Sequence, residues 1–486
     1  LWDNAYRHSV PEHVALTAFN GHGHNLTYKE INARTHCLAA YMLSKGLQRG
    51  ERVLILSENQ PVFLCFDLAV HFAAGVSVVL SRRFSAVQVG MVIEATAPRF
   101  VLVSEYGTYR RLKTVLSSFA DKLEIICAND RHDEPEEGDQ FTTLQSAVDI
   151  GKVFWRENTQ LVKDTKEGVQ PHQPAAILYD PHPRRKAGEK TGDPARNRSL
   201  TGIVVSHANF IAALHVGLAY TQGFTRAHKV LSFLAPTSAY QRLAGYYLPL
   251  ALGQPLLLAN TMAQVPALLK TEKPAVLMAA PAFLRYLFSH TRRQFKARHW
   301  LRARWFDRAV RVATKLRAAA AQNKKPGAWL QLQHAFFSRF IFAVIRKEML
   351  SSLRYVFTSG HQLPIWLEYF FAQLHLPVVT GFGVNESTGL ITLNPPQPHA
   401  ARLGSVGGVI AQGSIKIQRG VLEHVVHAAD AQPADTPMGI IYVGGKTLML
   451  GTWQHNQLKP AQAWYETGFT GYFEGGHLYL QQKAKQ

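Results

Sequence analysis

The chain contains only three cysteines in 486 residues, Cys37, Cys65 and Cys127, each isolated in apolar sequence (HCLAAYM, FLCFDLAV, EIICAN). An odd, scattered set excludes a disulfide framework and a thiolate metal site, and fits small core residues in a reducing compartment. The first residues, LWDNAYRHSVPEH, lack the basic, apolar and small-residue order of a signal peptide. Long apolar runs are missing too: Leu243 to Ala259, the most apolar stretch, is broken by Gly245, Pro249, Gly253 and Pro255, so no membrane span is expected. Charged residues reach 18% against 47% hydrophobic, which is too little charge for a disordered chain. There is no internal repeat and no long low-complexity tract. The expectation is a soluble cytoplasmic protein large enough for two or three packed domains.

Acids are scarce as well: 33 Asp and Glu face 53 Lys and Arg, a formal net charge of +20. That surplus raises anionic partners (nucleotides, coenzymes, nucleic acid, an acidic membrane surface) without choosing among them. Twelve of the cations lie between Arg292 and Lys325 beside one acid, Asp307. Leu301, Trp305, Ala309, Val312 and Leu316 recur there at helical spacing, with Arg304, Arg308, Arg311 and Lys315 in the neighbouring stripe. Three readings stay open: a helix packed on the domain with solvated arginines, a helix lying on the inner face of an anionic membrane, and nucleic-acid binding. The last is disfavoured, because no base-reading or aromatic-stacking module accompanies the charge.

What the chain does have is alternation. LTYKEINARTHCLAAYMLSKGL reads as a helix stopped at Gly46, ERVLILSEN as a short strand, Pro61 to Ala74 as a helix, VSVVL as a strand, Ser85 to Ala95 as a helix and RFVLVSE as a strand. Strands alternating with helices mean βαβ units and a mostly parallel sheet. The pattern returns with KVLSFLA, PLLLAN, AVLMAA, LRYVFTSG and PVVTGFG; from about Gly404 it gives way to short strands with turns, GSIKIQRG, GIIYVGG and GHLYLQQ. The fold class is therefore α/β: two α/β subdomains with mostly parallel sheets, over 1–170 and 171–403, plus a small β-rich subdomain over 404–486.

Two segments carry a family resemblance. SGHQLPIWLEYFFAQLHLPVVTGFGVNESTGLITLNPP, from Ser359, resembles the stretch of the adenylate-forming (AMP-binding) enzymes that ends in a Gly-Tyr-Gly-x-Thr-Glu motif. LSFLAPTSAYQRLAGYYLPLALG, from Leu231, resembles their long-chain fatty acyl-CoA synthetase branch, and LGSVGG, GIIYVGGKTLMLGTW and WYETGFTGYFEGGHLYL follow in the family's order. The resemblance implies activation of a long-chain fatty acid with ATP and Mg²⁺ to an acyl adenylate, then transfer to coenzyme A. It implies that Gly381 and Gly383 let the backbone approach the ligand, that Phe382 offers a face to adenine, and that Glu386 is the Mg²⁺ carboxylate and catalytic residue. Ser359 and Gly360, at the end of their own strand, join the nucleotide site. So do Thr201 and Gly202, where the family has its phosphate-loop lysine and the following glycine.

The chain also departs from the family. Between Tyr179 and Gly202 stand 22 residues, DPHPRRKAGEKTGDPARNRSLT, where the family has a Ser/Thr/Gly-rich loop of about nine. Prolines without N–H and bulky arginines cannot form a cradle of inward-turned backbone N–H groups. Arg184, Arg185, Lys186, Lys190, Arg196 and Arg198 could attract phosphate by charge alone. On the far side Ser206, His207 and Asn209 match. Phe469 stands where the family's ribose-binding Asp belongs, and the histidine and glutamate expected at Ser238 and Gln241 are absent. The family's small lid domain with its catalytic lysine is expected to be absent, since Gln486 falls near the hinge. Two functions follow: a fatty acid–CoA ligase (AMP-forming), or a pseudoenzyme that binds an acyl ligand or a protein on a synthetase scaffold.

Overall fold

The computed structural model describes residues 3, 6, 12–18, 24–128, 136–181, 200–221, 224–298, 300–321, 325–360, 362–396, 402–410, 412–428, 430 and 434–481. Arg184, Arg185, Lys186, Lys190, Arg196 and Arg198 of the inserted loop lie outside the described residues.

Helix starts follow local chemistry. Thr27 caps the Tyr28–Ser44 helix reciprocally: its Oγ1 accepts from Glu30 N at 3.2 Å, and its own N donates to Glu30 Oε2 at 2.8 Å. Pro61 opens the Pro61–Phe72 helix, where a missing N–H costs nothing. Ser85 caps Ala86–Thr96 in the same reciprocal way with Gln88. These helices cover a sheet whose central strand, Val76–Leu80, is buried along its whole length, as a parallel strand covered on both faces must be.

That sheet has nine strands, in the order Gln457–Pro460, Gly451–Gln454, Gly202–Ser206, Pro174–Leu178, Val76–Leu80, Arg52–Leu56, Phe100–Val103, Glu124–Cys127 and Thr142–Thr143. A second nine-stranded sheet runs Gly408–Val409, Thr392–Leu393, Val378–Phe382, Tyr355–Ser359, Val276–Ala279, Val230–Ser232, Leu256–Leu258, Val14–Ala18 and His24–Thr27. Both are mostly parallel. The third, Leu422–His427, Gly413–Arg419, Gly439–Gly445, Tyr465–Glu474 and His477–Gln481, is antiparallel throughout. The α/β class and all three sheets follow the expectation.

The sheets do not follow chain order, so the boundaries at 170 and 403 cut through them. Val14–Ala18 pairs in parallel with Leu256–Leu258 of the second sheet, while Gly451–Gln454 returns to pair with Gly202–Val204 of the first. Chain periodicity identifies a strand but not its partner, because register is set by long-range packing.

A buried polar cluster ties the two large sheets together. Arg242 Nη1 lies 3.4 Å from Asp67 Oδ1 and donates to Ser77 Oγ at 2.9 Å, while Arg242 Nε donates to the Pro236 carbonyl at 3.1 Å. The Tyr247 hydroxyl donates to the other Asp67 oxygen. Burial pushes the Asp67 carboxyl up, but Arg242, His71 and the Tyr247 and Ser77 hydroxyls outweigh it and hold the group below the usual carboxylate range. Asn59 adds a second tie, donating to the Ser232 and Ala259 carbonyls at 2.9 and 3.1 Å.

Cys37, Cys65 and Cys127 are buried and unpaired, with Cys65 and Cys127 pushed up to about 12 by burial, so they act as core residues. No helix among the described residues is long and apolar enough to cross a membrane.

Between Val276–Ala279 and Tyr355–Ser359 the chain leaves the sheet for a helical excursion that includes Trp300–Ala321 and Ala328–Phe337. The first of these helices buries Phe306, Ala309, Val312 and Ala313. The expected stripe is rotated: Trp305, assigned from periodicity to the packed face, is 47% exposed, and Phe306 takes its place. Arg304, Arg308, Arg311 and Lys315 are exposed.

Candidate active site

The C-terminal ends of the parallel strands in an open α/β sheet leave a crevice where ligands bind. Here the ends of Tyr355–Ser359 and Val378–Phe382 face the first sheet's inserted-loop edge and the antiparallel sheet across a cavity of about 600 Å³. Ser359 and Gly360 line it from one strand end; Gly383, Asn385 and Glu386 line it from the next. Thr201 enters from the far edge of the inserted loop, with Gln454 Nε2 donating to its Oγ1 at 3.3 Å.

The Gly381–Glu386 turn is held from several sides. A Cβ on Gly383 would stand 2.5 Å from the Gly389 backbone, so only glycine fits this tight return. Asn385 Oδ1 accepts from Ala239 N at 3.1 Å, and the Glu386 carbonyl accepts from Met449 N at 2.8 Å. The Glu386 side chain, half-buried, is thereby presented to the cavity from a short fixed turn, Asn385–Ser387. Ser206 and Asn209 brace the same region: they form a reciprocal helix cap, and Asn209 Nδ2 donates to the Lys446 and Leu448 carbonyls at 2.8 and 2.9 Å.

Three assigned residues do not reach the cavity. Phe382 is fully buried in the core of the antiparallel sheet, edge to face with Phe469 at 5.2 Å between ring centroids. The expected adenine face is therefore a core side chain: along a strand, successive side chains alternate, and Gly381 and Gly383 flank a residue that points inward. Gly381 itself abuts the neighbouring strand, where a Cβ would lie 2.7 Å from the Thr392 carbonyl oxygen. Gly202 makes room for the Tyr179 ring.

The cavity also gathers Tyr240, which sequence reading missed, and Gln241, which stands where the family's glutamate is expected. Tyr240 and Gln241 line it, and the Tyr240 hydroxyl and Gln241 Oε1 are buried with no partner among the described residues. Burial pushes the Tyr240 hydroxyl far up. Orphaned polar atoms of this kind cost free energy unless a ligand or water meets them. Tyr240 also borders a small apolar crevice of about 30 Å³ lined by Leu243, Leu248, Met278, Phe357 and Leu393.

Glu466 is a second missed residue. Tyr465–Glu474 carries an irregularity opposite Ile441, and Glu466 lines the cavity there with the Tyr442 hydroxyl donating to it at 3.4 Å. That this face of the strand meets the cavity depends on how the antiparallel sheet packs against the other two, and no periodicity announces it. Among the described lining residues Asp180, Glu386 and Glu466 are carboxylates, and none is Lys, Arg or His.

No group of three His, Cys, Asp or Glu that could hold a metal ion occurs among the described residues. Mg²⁺ is ordinarily bound by one or two carboxylates plus phosphate oxygens and water, so Glu386 fits that mode without a protein cage.

Comparison with known proteins agrees with this architecture. The family model described as AMP-binding enzyme matches residues 2–179 and 201–453, leaving out the inserted loop. The long-chain-fatty-acid–CoA ligase FadD15 of Mycobacterium bovis is 22% identical over 470 residues, covering 95% of this chain and 70% of that protein. The putative acyl–CoA ligase YdaB of Bacillus subtilis is 22% identical over 98% of this chain and 78% of its own length. Among solved structures, the anthranilate CoA ligase AuaEII in complex with anthranoyl-AMP aligns with a TM-score of 0.67 at 13% identity, over 99% of this chain and 77% of that one. The N-terminal domain of FACL13 from Mycobacterium tuberculosis aligns with a TM-score of 0.63 at 16% identity, over 99% and 98%. At these identities the structural likeness establishes the fold.

Proposed function

Since the chain belongs to the AMP-binding enzyme family, we propose that its cavity takes a long-chain fatty acid and ATP and forms an acyl adenylate, which passes its acyl group to coenzyme A. The observation that carries this reading is the convergence of Ser359, Gly360, Gly383, Glu386 and Thr201 on one cavity whose buried Tyr240 and Gln241 polar atoms lack partners. In this reading the acid's carboxylate oxygen attacks the α-phosphorus and pyrophosphate leaves. Ser359 and the strand-end backbone hold the nucleotide, and Glu386 would hold a Mg²⁺ that neutralises phosphate charge. Glu466, not residue 469, accepts from the ribose hydroxyls.

A second reading is favoured by the cavity's charge. Among the described lining residues Glu386 and Glu466 present carboxylates, and Thr201 stands where the family's phosphate-loop lysine is expected, so this part of the wall offers a triphosphate no fixed cation. The chain would then bind an acyl ligand or a protein on a synthetase scaffold without turning over ATP.

One pair of measurements separates them: calorimetric titration with a non-hydrolysable long-chain acyl-adenylate mimic, and ATP–pyrophosphate exchange with a fatty acid. Saturable mimic binding with exchange supports the ligase, binding without exchange supports an acyl-binding scaffold, and no binding by a folded sample overturns the ligase and leaves a scaffold for another acyl or protein partner.

A further inference from the structure

The helical excursion carries a surface that the cavity does not explain. On Ala328–Phe337 and the wider turn Ser338–Phe342 that continues it, Trp329, Leu332, Phe336 and Phe340 recur along one side and are 70, 62, 42 and 53% exposed. Trp305 of the preceding helix joins them, edge to face with Phe336 at 5.6 Å, and Phe336 meets Phe340 at 4.9 Å. Single exposed apolar residues are ordinary; a continuous aromatic stripe on two packed helices is not.

The stripe is rimmed by positive charge. Arg304 and Arg308 flank Trp305, and Arg339 precedes Phe340. The one acid of Trp300–Ala321, Asp307, is held by Arg292 through two contacts of 2.7 Å, and Arg308 beside it is exposed. Beside Phe340 a groove of about 840 Å³ is lined by Arg339, Arg346, Lys347 and His334. Bulky aromatics next to arginines and a cationic groove match an anionic lipid surface: rings enter the acyl boundary and the cations meet headgroup phosphates. A water-soluble anion would use the groove and leave the aromatics exposed, and nucleic acid would need stacking positions inside a basic track.

We propose that this helical pair is a docking face for an anionic bilayer, inserting Trp329, Leu332, Phe336 and Phe340 while Arg308, Arg339 and Lys347 engage headgroups. The proposal stands apart from the adenylate reading, since none of these residues lines the central cavity.

Flotation of the whole chain with phosphatidylglycerol-containing and pure phosphatidylcholine vesicles tests it, with tryptophan emission read in parallel. Binding to the anionic vesicles only, with a blue shift that Trp329→Ser reduces, is the expected result. The triple variant Leu332→Ser, Phe336→Ser, Phe340→Ser should lose at least about tenfold in partitioning. Arg308→Glu, Arg339→Glu and Lys347→Glu should each lose about fivefold or more. All these side chains are exposed or at the surface, and unchanged thermal melts and mimic binding would show that the variants fold. Full binding by the triple serine variant, equal binding to neutral vesicles, retention by DNA but not by vesicles, or a dimer that the serine variant dissociates would each overturn the proposal.

Discussion

Phe382 and Phe469 meet edge to face inside the antiparallel sheet, their rings 5.2 Å apart and nearly perpendicular at 81°. One comes from the glycine turn that was expected to hold adenine, the other from the position expected to hold a ribose acid. Phe469→Asp should therefore lower stability by about 1–3 kcal/mol, from lost aromatic packing and a half-buried carboxylate, and leave mimic affinity unchanged. Urea melts and titration check this. A gain in affinity would mean that position 469 turns toward the ligand in the bound state.

On the same strand as Phe469, Glu466 is an acid that does reach the cavity. Charge-assisted hydrogen bonds contribute about 1.5–3 kcal/mol each, so Glu466→Gln should weaken the adenylate mimic about tenfold or more. The same substitution should leave affinity for the free fatty acid unchanged. Equal losses for both ligands would contradict a ribose contact.

Tyr240→Phe separates ligand contact from structure. The Tyr240 hydroxyl has no partner among the described residues, so its removal should raise the stability of the free chain by about 1 kcal/mol and weaken mimic binding several-fold. The denaturant midpoint should rise without the mimic and stay near the parent's with it. A variant that is less stable in both would show that the hydroxyl already has a structural role.

Glu368 makes stability depend on pH. Burial pushes its carboxyl from 4.5 up to about 7, opposed by the Gly404 N–H that donates to Oε2 at 2.7 Å. Because the folded value exceeds the unfolded one, the folded chain binds more protons between these pH values, so stability falls as pH rises from 4.5 through 7. Glu368→Gln keeps an acceptor for Gly404 and removes the charge. It should be more stable than the parent at pH 8, by a few kcal/mol at most (on the order of 3). The difference should vanish near pH 4.

Asp67→Asn tests the tie between the large sheets. It leaves the fully buried Arg242 without its countercharge, a change that costs about 3–5 kcal/mol. Loss of a cooperative thermal transition, or a much lower midpoint, is expected. A midpoint within a degree or two of the parent would show that Arg242 is satisfied by Ser77 and Pro236 alone.

Much of the fold was legible because its signals are local. The apolar run Val76–Leu80, the stop at Gly46 and the glycines around Phe382 each act within a few residues. Glu386, Ser359 and Gly360 could be named from their strand-end motifs, and they share one cavity. Residues whose roles depend on a neighbouring element could not: Glu466 faces the cavity because the antiparallel sheet packs there, and Phe382 is turned inward by the pleat.

The sequence by itself determined the α/β class, the succession of helices and strands, the family's motif order and the positive charge between Arg292 and Lys325, since periodicity, capping and charge are carried by the chain. Only the tertiary structure decided that Val14–Ala18 and Gly451–Gln454 cross between sheets, that Arg242 is buried on Asp67, and that Trp305 faces outward beside Phe336. Those outcomes depend on which surfaces meet, and burial is a property of pairs of elements brought together from distant parts of the chain.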